Sequence, residues 1–415
     1  MFCMSTTNAH RLARMTGRDP NEAHRAASPL ELLFDLAFVL AIGAASGEFA
    51  HYVAEAHIAA ALGGFGFAMF TICWAWINFT RFASAYDTDD WVYRLLTMVQ
   101  VIGVVVVALG VPRLFESVDE GEHIDNRIVV IGYVIMRVAV VALWLRAARQ
   151  DEPRRATALG YAKYIALAQI GWVVVAVIEL DYWPTTVIAV LLFTLEAACP
   201  IFIERKEGAT PWHAHHIAER YALLTIIALG EGIFGTVAAV SAIVEDSGWT
   251  VETALVIVAG VGLTFGLWWT YFLLPSGRVL ARRRGRQWGW SYGHFAIFAS
   301  VAATGAGLHV AAYVIEGHSE LGAVGAVLSV AIPVIVFCVS LFVLYDYLVG
   351  AFDGFHVWLM AGTMAVLVLA VALAAGGASI GLCLIVVMLA PAVIVVGYET
   401  IGHRHEAAFL QRIGG

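Results

Sequence analysis

The segment SPLELLFDLAFVLAIGAASGEFAHYV, residues 28–53, is long and apolar enough to span a membrane, yet it carries four titratable side chains. Its SPLE start matches a capping box in which Glu31 bonds back to the N-cap residue. Asp35 follows on the same face, about 8 Å inside the helix start, where it either faces water or bonds a neighbouring helix. Glu48 and His51 lie at the other end, close to headgroups and water. The segment is therefore predicted to be a spanning helix in which Asp35 is the charge that is most costly to bury.

The composition of the whole chain agrees with this reading. Of its 415 residues, 61% are hydrophobic and 13% are charged, and the mean hydropathy is +0.81. Soluble proteins carry about 25% charged residues, so this chain could not cover a soluble surface. Its five cysteines are scattered, which argues against a disulfide framework or a zinc site. We expect an integral membrane protein whose partner is the lipid bilayer, with no nucleic-acid partner and no cofactor. The sequence leaves the oligomeric state open.

Twelve stretches have the length and apolar character of spanning helices. We therefore predict an all-α integral membrane protein with about twelve transmembrane helices. The predicted spans are approximately 30–53, 57–79, 93–112, 128–147, 159–180, 184–203, 217–243, 251–274, 291–315, 321–348, 355–376 and 378–400.

The distribution of basic residues predicts the orientation. Lys and Arg collect in the even-numbered loops and the two tails, most densely in RVLARRRGR at 278–286. The odd-numbered loops are acidic, as in FESVDEGEHID after the third span, and only Arg113 and Arg127 depart from the pattern. Because basic residues mark the cytoplasmic side, we predict that both termini are cytoplasmic.

The two halves of the chain share a weak pattern. The second span ends in CWAWINFTRF and the eighth in LWWTYFLL, and each is followed by a charged loop and an aromatic helix start. This predicts a parallel six-plus-six duplication, as in some transporters. The predicted organisation is a cytoplasmic tail at 1–27, a first half at 28–203, a linker at 204–216, a second half at 217–400 and a cytoplasmic tail at 401–415.

Glycine spacing predicts close helix contacts at two places. Gly43 and Gly47 in the first span are four residues apart, as are Gly262 and Gly266 in the eighth. Small residues at this spacing allow neighbouring helix backbones to approach.

The most costly charge is Arg137, which lies near the centre of the fourth span. An unpaired arginine there costs about 2.5–3.5 kcal/mol on insertion scales, so we expect a carboxylate partner, either Glu196 or Glu231. Such a pair is either a structural contact or an ion-coupling site. His294 in SYGHFAIF is either a packing residue or a proton relay. The proposed coupling or solute site comprises Asp35, Arg137, Glu196, Glu231 and His294.

Two polar segments near the membrane surface have alternative interpretations. In FTRFASAYDTDDWVYR, the aspartates could hold Mg²⁺, as in a prenyl- or phosphotransferase, or pair with the basic loop as a cytoplasmic gate, which we favour. The gate residues are Arg81, Asp87, Asp89, Asp90, Arg282, Arg283 and Arg284.

At the start of the seventh span, WHAHHIAER contains His215, His216 and Glu219 at a spacing that could bind a divalent metal. We expect no metal there, because no HExxH pattern is present and the segment lies at the interface.

Several blocks together resemble the bacterial low temperature requirement A family. They are PLELLFDLAFVLAIG, WAWINFTRFASAYDTDDWVYRLLTMVQ, HHIAERYALLTIIALGEGI, LWWTYF and SYGHFAIF, and the resemblance runs from about residue 28 to 315. It implies a multi-pass plasma-membrane protein and adds no substrate. The matching positions are Glu31, Phe34, Asp35, Trp76, Arg81, Asp87, Asp90, Trp91, Arg137, His216, Glu219, Arg220, Gly230, Glu231, Trp269, Gly293 and His294.

The leading hypothesis is a secondary transporter of a small solute, coupled to protons or ions through buried charges. The chain has no GxxxxGK[ST] loop, which argues against ATP-driven pumping by this chain alone. One alternative is a membrane-embedded metal-dependent enzyme that uses Asp87, Asp89 and Asp90 on a lipid-linked substrate. Another is a non-catalytic factor for membrane function in the cold. We favour transport over catalysis.

Overall fold

Membrane-length helices make up nearly all of the protein. The computed structural model describes residues 12–23 and 25–405, and within them twelve helical segments are long and apolar enough to cross a membrane, which confirms the predicted number. The spanning helices are α1 (Pro29–Ala54), α2 (Ile58–Tyr86), α3 (Trp91–Glu120), α4 (Arg127–Gln150), α5 (Arg155–Val177), α6 (Tyr182–Glu207), α7 (Ala214–Ser247), α8 (Val251–Phe272), α10 (Gln287–Ile315), α11 (Ala323–Val349), α12 (Gly354–Ala375) and α13 (Ile380–Gly397). A short helix, α9 (Ser276–Arg282), lies in the basic loop.

Parts of both predicted tails lie outside the described residues. For the tail predicted at 1–27, the described portions are 12–23 and 25–27, and for the tail at 401–415 the described portion is 401–405. Within the described chain no residue forms a β-strand, although an isolated β-bridge joins His123 and Asp181.

Local sequence signals account for where helices begin and end. At the start of α1, the Ser28 N–H donates to Glu31 Oε2 at 2.7 Å and the Glu31 N–H donates to Ser28 Oγ at 3.3 Å, which confirms the predicted capping box. At the start of α3, Asp90 Oδ1 accepts hydrogen bonds from the backbone N–H groups of the second and third helical residues. Gly121 ends α3 with φ of 72°, a left-handed conformation that glycine adopts without steric cost.

The chain divides into two compact units. The first contains the described residues up to Ala41 together with Phe70–Arg220, and within it α3 packs on α4, α4 on α5 and α5 on α6. The α3–α4 contact is closest at Gly103 and Gly132. A Cβ atom at either glycine would lie 2.6 Å from the carbonyl oxygen of the other, so the two backbones touch there.

The second unit contains Ile42–Met69 and the described residues from Tyr221 onward. Within it α10 packs on α11, while α13 packs on both α8 and α12. Gly262 and Gly266 of α8 lie against Met388 and Pro391 of α13, which confirms the close contact predicted from their spacing. The other predicted pair differs, because the position of a Gly47 Cβ has nothing within 4 Å.

The boundaries of these units fall within α1, α2 and α7, whereas the predicted halves are continuous segments of the chain. The halves at 28–203 and 217–400, the linker at 204–216 and their origin by duplication stay predictions. The cytoplasmic placement of the two termini also stays a prediction.

Candidate functional site

Arg137 on α4 pairs with Glu196 on α6, so the structure selects one of its two candidate partners. The guanidinium Nη2 donates to Glu196 Oε2 at 2.5 Å, and each side chain is 2% exposed. Three aromatic donors bind the same carboxylate: Trp74 Nε1 at 2.6 Å, the Tyr133 hydroxyl at 2.6 Å and Trp172 Nε1 at 2.9 Å. Because so many donors converge on it, this carboxylate is held in one position.

The space around Arg137 admits little else. Its Nε and Nη1 atoms make no hydrogen bond within the described protein. The cavity beside it, between Asn78, Tyr164 and Ile203, has a volume of about 10 Å³. A volume of about 10–15 Å³ is needed for one water molecule, so a solute does not fit beside this pair. These contacts favour the structural interpretation of Arg137 and Glu196.

Asp35 belongs to a second fully buried cluster, which joins α1 to the first turns of α7. Arg220 Nη1 donates to Glu31 at 2.7 Å, while its Nη2 and Nε donate to the two Asp35 oxygens at 2.5 and 3.0 Å. Trp76 Nε1 also donates to Asp35, at 2.7 Å, and His216 Nε2 lies 3.1 Å from Glu31 Oε1. Of the two environments expected for Asp35, the structure therefore shows the bond to a neighbouring helix.

Sequence reasoning did not place Arg220 in the site, although it is the cation that holds the two acids together. The available signal was the spacing of Glu31 and Asp35, which puts two carboxylates on one helix face and requires a buried positive charge nearby.

The N-terminal segment extends this cluster. Arg25 Nη2 donates to the Ala83 carbonyl at 3.2 Å and to Asp87 Oδ2 at 3.4 Å, and it lies 3.9 Å from Glu31. Burial raises the pKa of Asp87 above its ordinary value, and the charge of Glu31 raises it further. The loop after α2 is therefore joined to the start of α1 through Arg25.

Each aspartate of the predicted gate has an arginine partner inside the first unit. The pairs are Asp87 with Arg25, Asp89 with Arg94, and Asp90 with Arg146. Burial opposes ionisation of Asp90, but hydrogen bonds from Arg146 and the Tyr93 N–H outweigh it and lower the pKa of Asp90. Arg81, also assigned to the gate, donates to both Glu204 oxygens at 2.9 Å. The pairing of this loop with Arg282, Arg283 and Arg284 stays a prediction.

The titratable residues at the start of α7 lie in different environments. His215 is exposed, His216 is fully buried against Glu31, and Glu219 is half-buried. Across 12–23 and 25–405, no group of three or more His, Cys, Asp or Glu side chains has an arrangement that could hold a metal ion. Neither this segment nor the three aspartates therefore converges on a metal centre in the described chain.

Glu231 differs from the other buried acids. It lies on α7 in the second unit, is 5% exposed, and has no ion-pair partner among the residues that the structure describes. A Cβ atom at Gly43 would lie 3.2 Å from Glu231 Oε1, so α1 approaches the carboxylate closely. The fully buried Ser46 hydroxyl faces Glu231 and makes no hydrogen bond of regular geometry. A carboxylate without a cation partner and a buried hydroxyl therefore lie together.

His294 on α10 has both ring nitrogens engaged. Nδ1 lies 2.9 Å from the Trp290 carbonyl oxygen, so Nδ1 carries a proton and donates it. Nε2 lies 3.0 Å from the Tyr271 hydroxyl, and the ring packs against Tyr221 at a centroid distance of 4.8 Å. These contacts favour the packing interpretation over a proton relay.

Comparison with known proteins supplies a family match but no activity. The sequence model of the bacterial low temperature requirement A protein family matches residues 26–391. An uncharacterized protein of Rhizobium meliloti (strain 1021) is 24% identical over 303 residues, which cover 70% of each chain. No solved structure matches the chain.

Proposed function

The chain belongs to the bacterial low temperature requirement A family, and from that premise we propose that it is a secondary transporter coupled to a proton or small cation bound at Glu231. The observation that carries this proposal is the contrast among buried acids. Glu31, Asp35 and Glu196 each face an arginine within 3 Å, whereas Glu231 has no cation within the described chain. An isolated buried carboxylate costs several kcal/mol while it is ionised. A proton or cation that binds there removes that cost, as a coupling ion must.

Two features near Glu231 support this proposal. A Cβ atom at the preceding residue, Gly230, would have nothing within 4 Å, whereas one at Gly232 would collide with Thr264 Oγ1, so there is open space on one side only. The Ser46 hydroxyl supplies a second oxygen on the facing part of α1. Oxygen ligands suit hard cations, and a protonated carboxyl could donate to the same hydroxyl.

The proposal assigns the charged clusters of the first unit to structure. Asp35 and Arg137 entered the initial coupling hypothesis, but both are engaged in short ion pairs. Their role in the proposal is to hold the helices of the first unit in place. The proposed location is the bacterial plasma membrane with both termini in the cytoplasm, which the basic loops support.

The alternatives have less support. An enzyme that uses Asp87, Asp89 and Asp90 with a metal requires those carboxylates to converge, and each is directed at a different arginine. A non-catalytic factor gives no role to an isolated buried carboxylate, so Glu231 favours the transporter.

The test compares Glu231→Gln with Glu245→Gln, a matched change at an exposed position of the same helix. Thermal unfolding of the purified full chain is measured from pH 6 to 8.5, in sodium chloride and in choline chloride. A ligand at 100 times its Kd stabilises the folded state by about 2.7 kcal/mol, so occupation of the site shifts Tm measurably. We expect wild type and Glu245→Gln to respond to pH or to sodium, and Glu231→Gln to lose that response.

A second measurement ties the site to function. Growth in the cold of a host that lacks the chain is compared after complementation with each variant. Full complementation by Glu231→Gln, together with an unchanged pH and sodium response, would refute coupling through this carboxylate.

A further inference from the structure

The second unit contains a large apolar cavity. It has a volume of about 500 Å³ and lies between the end of α1, the start of α2, α10 and α11. Small-molecule pockets are typically about 300–1,000 Å³, so this cavity is large enough for a ligand. It is separate from Glu231, which does not line it.

The walls of the cavity offer almost nothing to a polar ligand. Phe49, Phe65 and Ile332 are typical of the lining, and the only polar side chains in it are Ser300 and Ser329. Both hydroxyls donate to backbone carbonyls of their own helices, at 3.0 Å and 2.7 Å. The cavity therefore suits hydrocarbon.

Its length matches one leaflet of a bilayer. Along α11 the lining runs from Gly325 to Val336, which is about 17 Å at 1.5 Å per residue. The hydrocarbon core of a bilayer is about 30 Å thick, so this length covers about one leaflet. Leu62 is 59% exposed and Ile332 is 54% exposed, so the cavity is open at the side. A lipid tail can enter through this opening and lie along α11.

The end of the cavity at Leu321 is bordered by acidic loops. The connection between α1 and α2 carries Glu55, and the connection between α10 and α11 carries Glu316 and Glu320, all exposed. Neither connection contains Lys or Arg. Two hydrogen bonds to the Ala54 carbonyl join them, from Ser319 Oγ at 2.8 Å and from the Glu320 N–H at 2.9 Å. The two connections that carry these acidic residues are therefore held together at this end of the cavity.

We propose that this cavity binds one acyl chain of an aminophospholipid, whose ammonium headgroup pairs with Glu55 and Glu320. The apolar walls and the length select the chain. The acidic border selects a headgroup that carries an ammonium group and disfavours one that is only anionic. This proposal does not depend on transport through Glu231.

The test measures lipid binding to the delipidated full chain by native mass spectrometry. The probes are dioleoyl phosphatidylethanolamine and dioleoyl phosphatidylglycerol, which share their chains and differ in the headgroup. Wild type should bind phosphatidylethanolamine at least fivefold more tightly. The Glu55→Gln, Glu320→Gln double variant should lose this preference and still bind lipid, whereas the exposed control Glu245→Gln should keep it.

A second pair of variants tests the chain site. Ala299→Phe fills the cavity, while Ala361→Phe adds the same ring at an exposed position of α12. We expect both lipids to bind at least tenfold more weakly to Ala299→Phe and unchanged to Ala361→Phe. Ala303→Leu, a smaller filling change, provides the same test if Ala299→Phe does not fold. Equal lipid binding by wild type and a folded filling variant would overturn the proposal, as would a wild-type preference for phosphatidylglycerol.

Discussion

Replacing Glu196 with alanine should destabilise the protein severely, because Arg137 would keep its charge without its counterion. Breaking a buried ion pair by removing one partner costs about 3–5 kcal/mol. The aromatic donors Trp74, Tyr133 and Trp172 would also lose their acceptor, but hydrogen bonds inside membranes are worth about 0.6 kcal/mol each on average, so together they add less than the ion pair. The expected total is about 5–7 kcal/mol.

The informative comparison is with a double variant, Arg137→Met with Glu196→Leu. Removing both charges together leaves no uncompensated ion, and such replacements are often neutral or stabilising. We therefore expect the double variant to recover most of the loss. The assay is thermal and denaturant unfolding of the purified protein in one detergent, followed by tryptophan fluorescence. The exposed pair of Arg113 with Glu116 supplies the control, since Glu116→Gln should change stability by less than about 1 kcal/mol.

Two results would refute this reasoning. If Glu196→Ala were no less stable than the Glu116→Gln control, Arg137 would not depend on Glu196 for its charge compensation. If the double variant were as unstable as Glu196→Ala, the loss would come from packing and hydrogen bonds rather than from an unpaired charge.

Three further predictions concern stability. Burial lowers the pKa of His213, whose Nδ1 accepts from a backbone N–H. The free energy of unfolding should therefore fall as pH drops below about 6.5. In thermal scans from pH 8 to 5, Tm should fall less steeply with pH for His213→Gln than for wild type. The Arg146 and N-cap hydrogen bonds lower the pKa of Asp90, so Asp90→Ala should cost about 1–3 kcal/mol at pH 7 in denaturant unfolding. The difference in unfolding free energy between wild type and Asp90→Ala should close below about pH 4. A difference that does not change with pH would contradict the assignment. Gly103→Ala should cost about 1–3 kcal/mol through a clash at the α3–α4 contact, whereas Gly47→Ala, with open space around it, should be neutral or slightly stabilising in the same thermal assay.

The sequence predicted features that depend on neighbouring residues and missed those that depend on distant ones. The twelve spans and the capping box at Glu31 follow from local length, polarity and spacing, and the structure has them. The need of Arg137 for an acid was also predictable, because burial of one charge demands another. The choice of Glu196 over Glu231 was not, because it depends on which helices pack together. Arg81, assigned to a gate from its loop, instead meets Glu204, 123 positions away in the chain.

The contrast between paired and unpaired acids also constrains where a proton can be exchanged. Neutralising Glu196 or Asp35 by substitution would leave an arginine buried without its counterion, which costs about 3–5 kcal/mol, as breaking a buried ion pair does. Neutralising Glu231 leaves no buried cation behind among the described residues, so the same argument assigns no such cost to it. In the proposed transporter, we therefore expect the coupling step at Glu231. By the same argument, introducing a cation beside it, for example Ser46→Lys, should fix the carboxylate in its ionised form. The variant should then fold and lose any pH or sodium response, and a retained response would place the exchanged proton on another group.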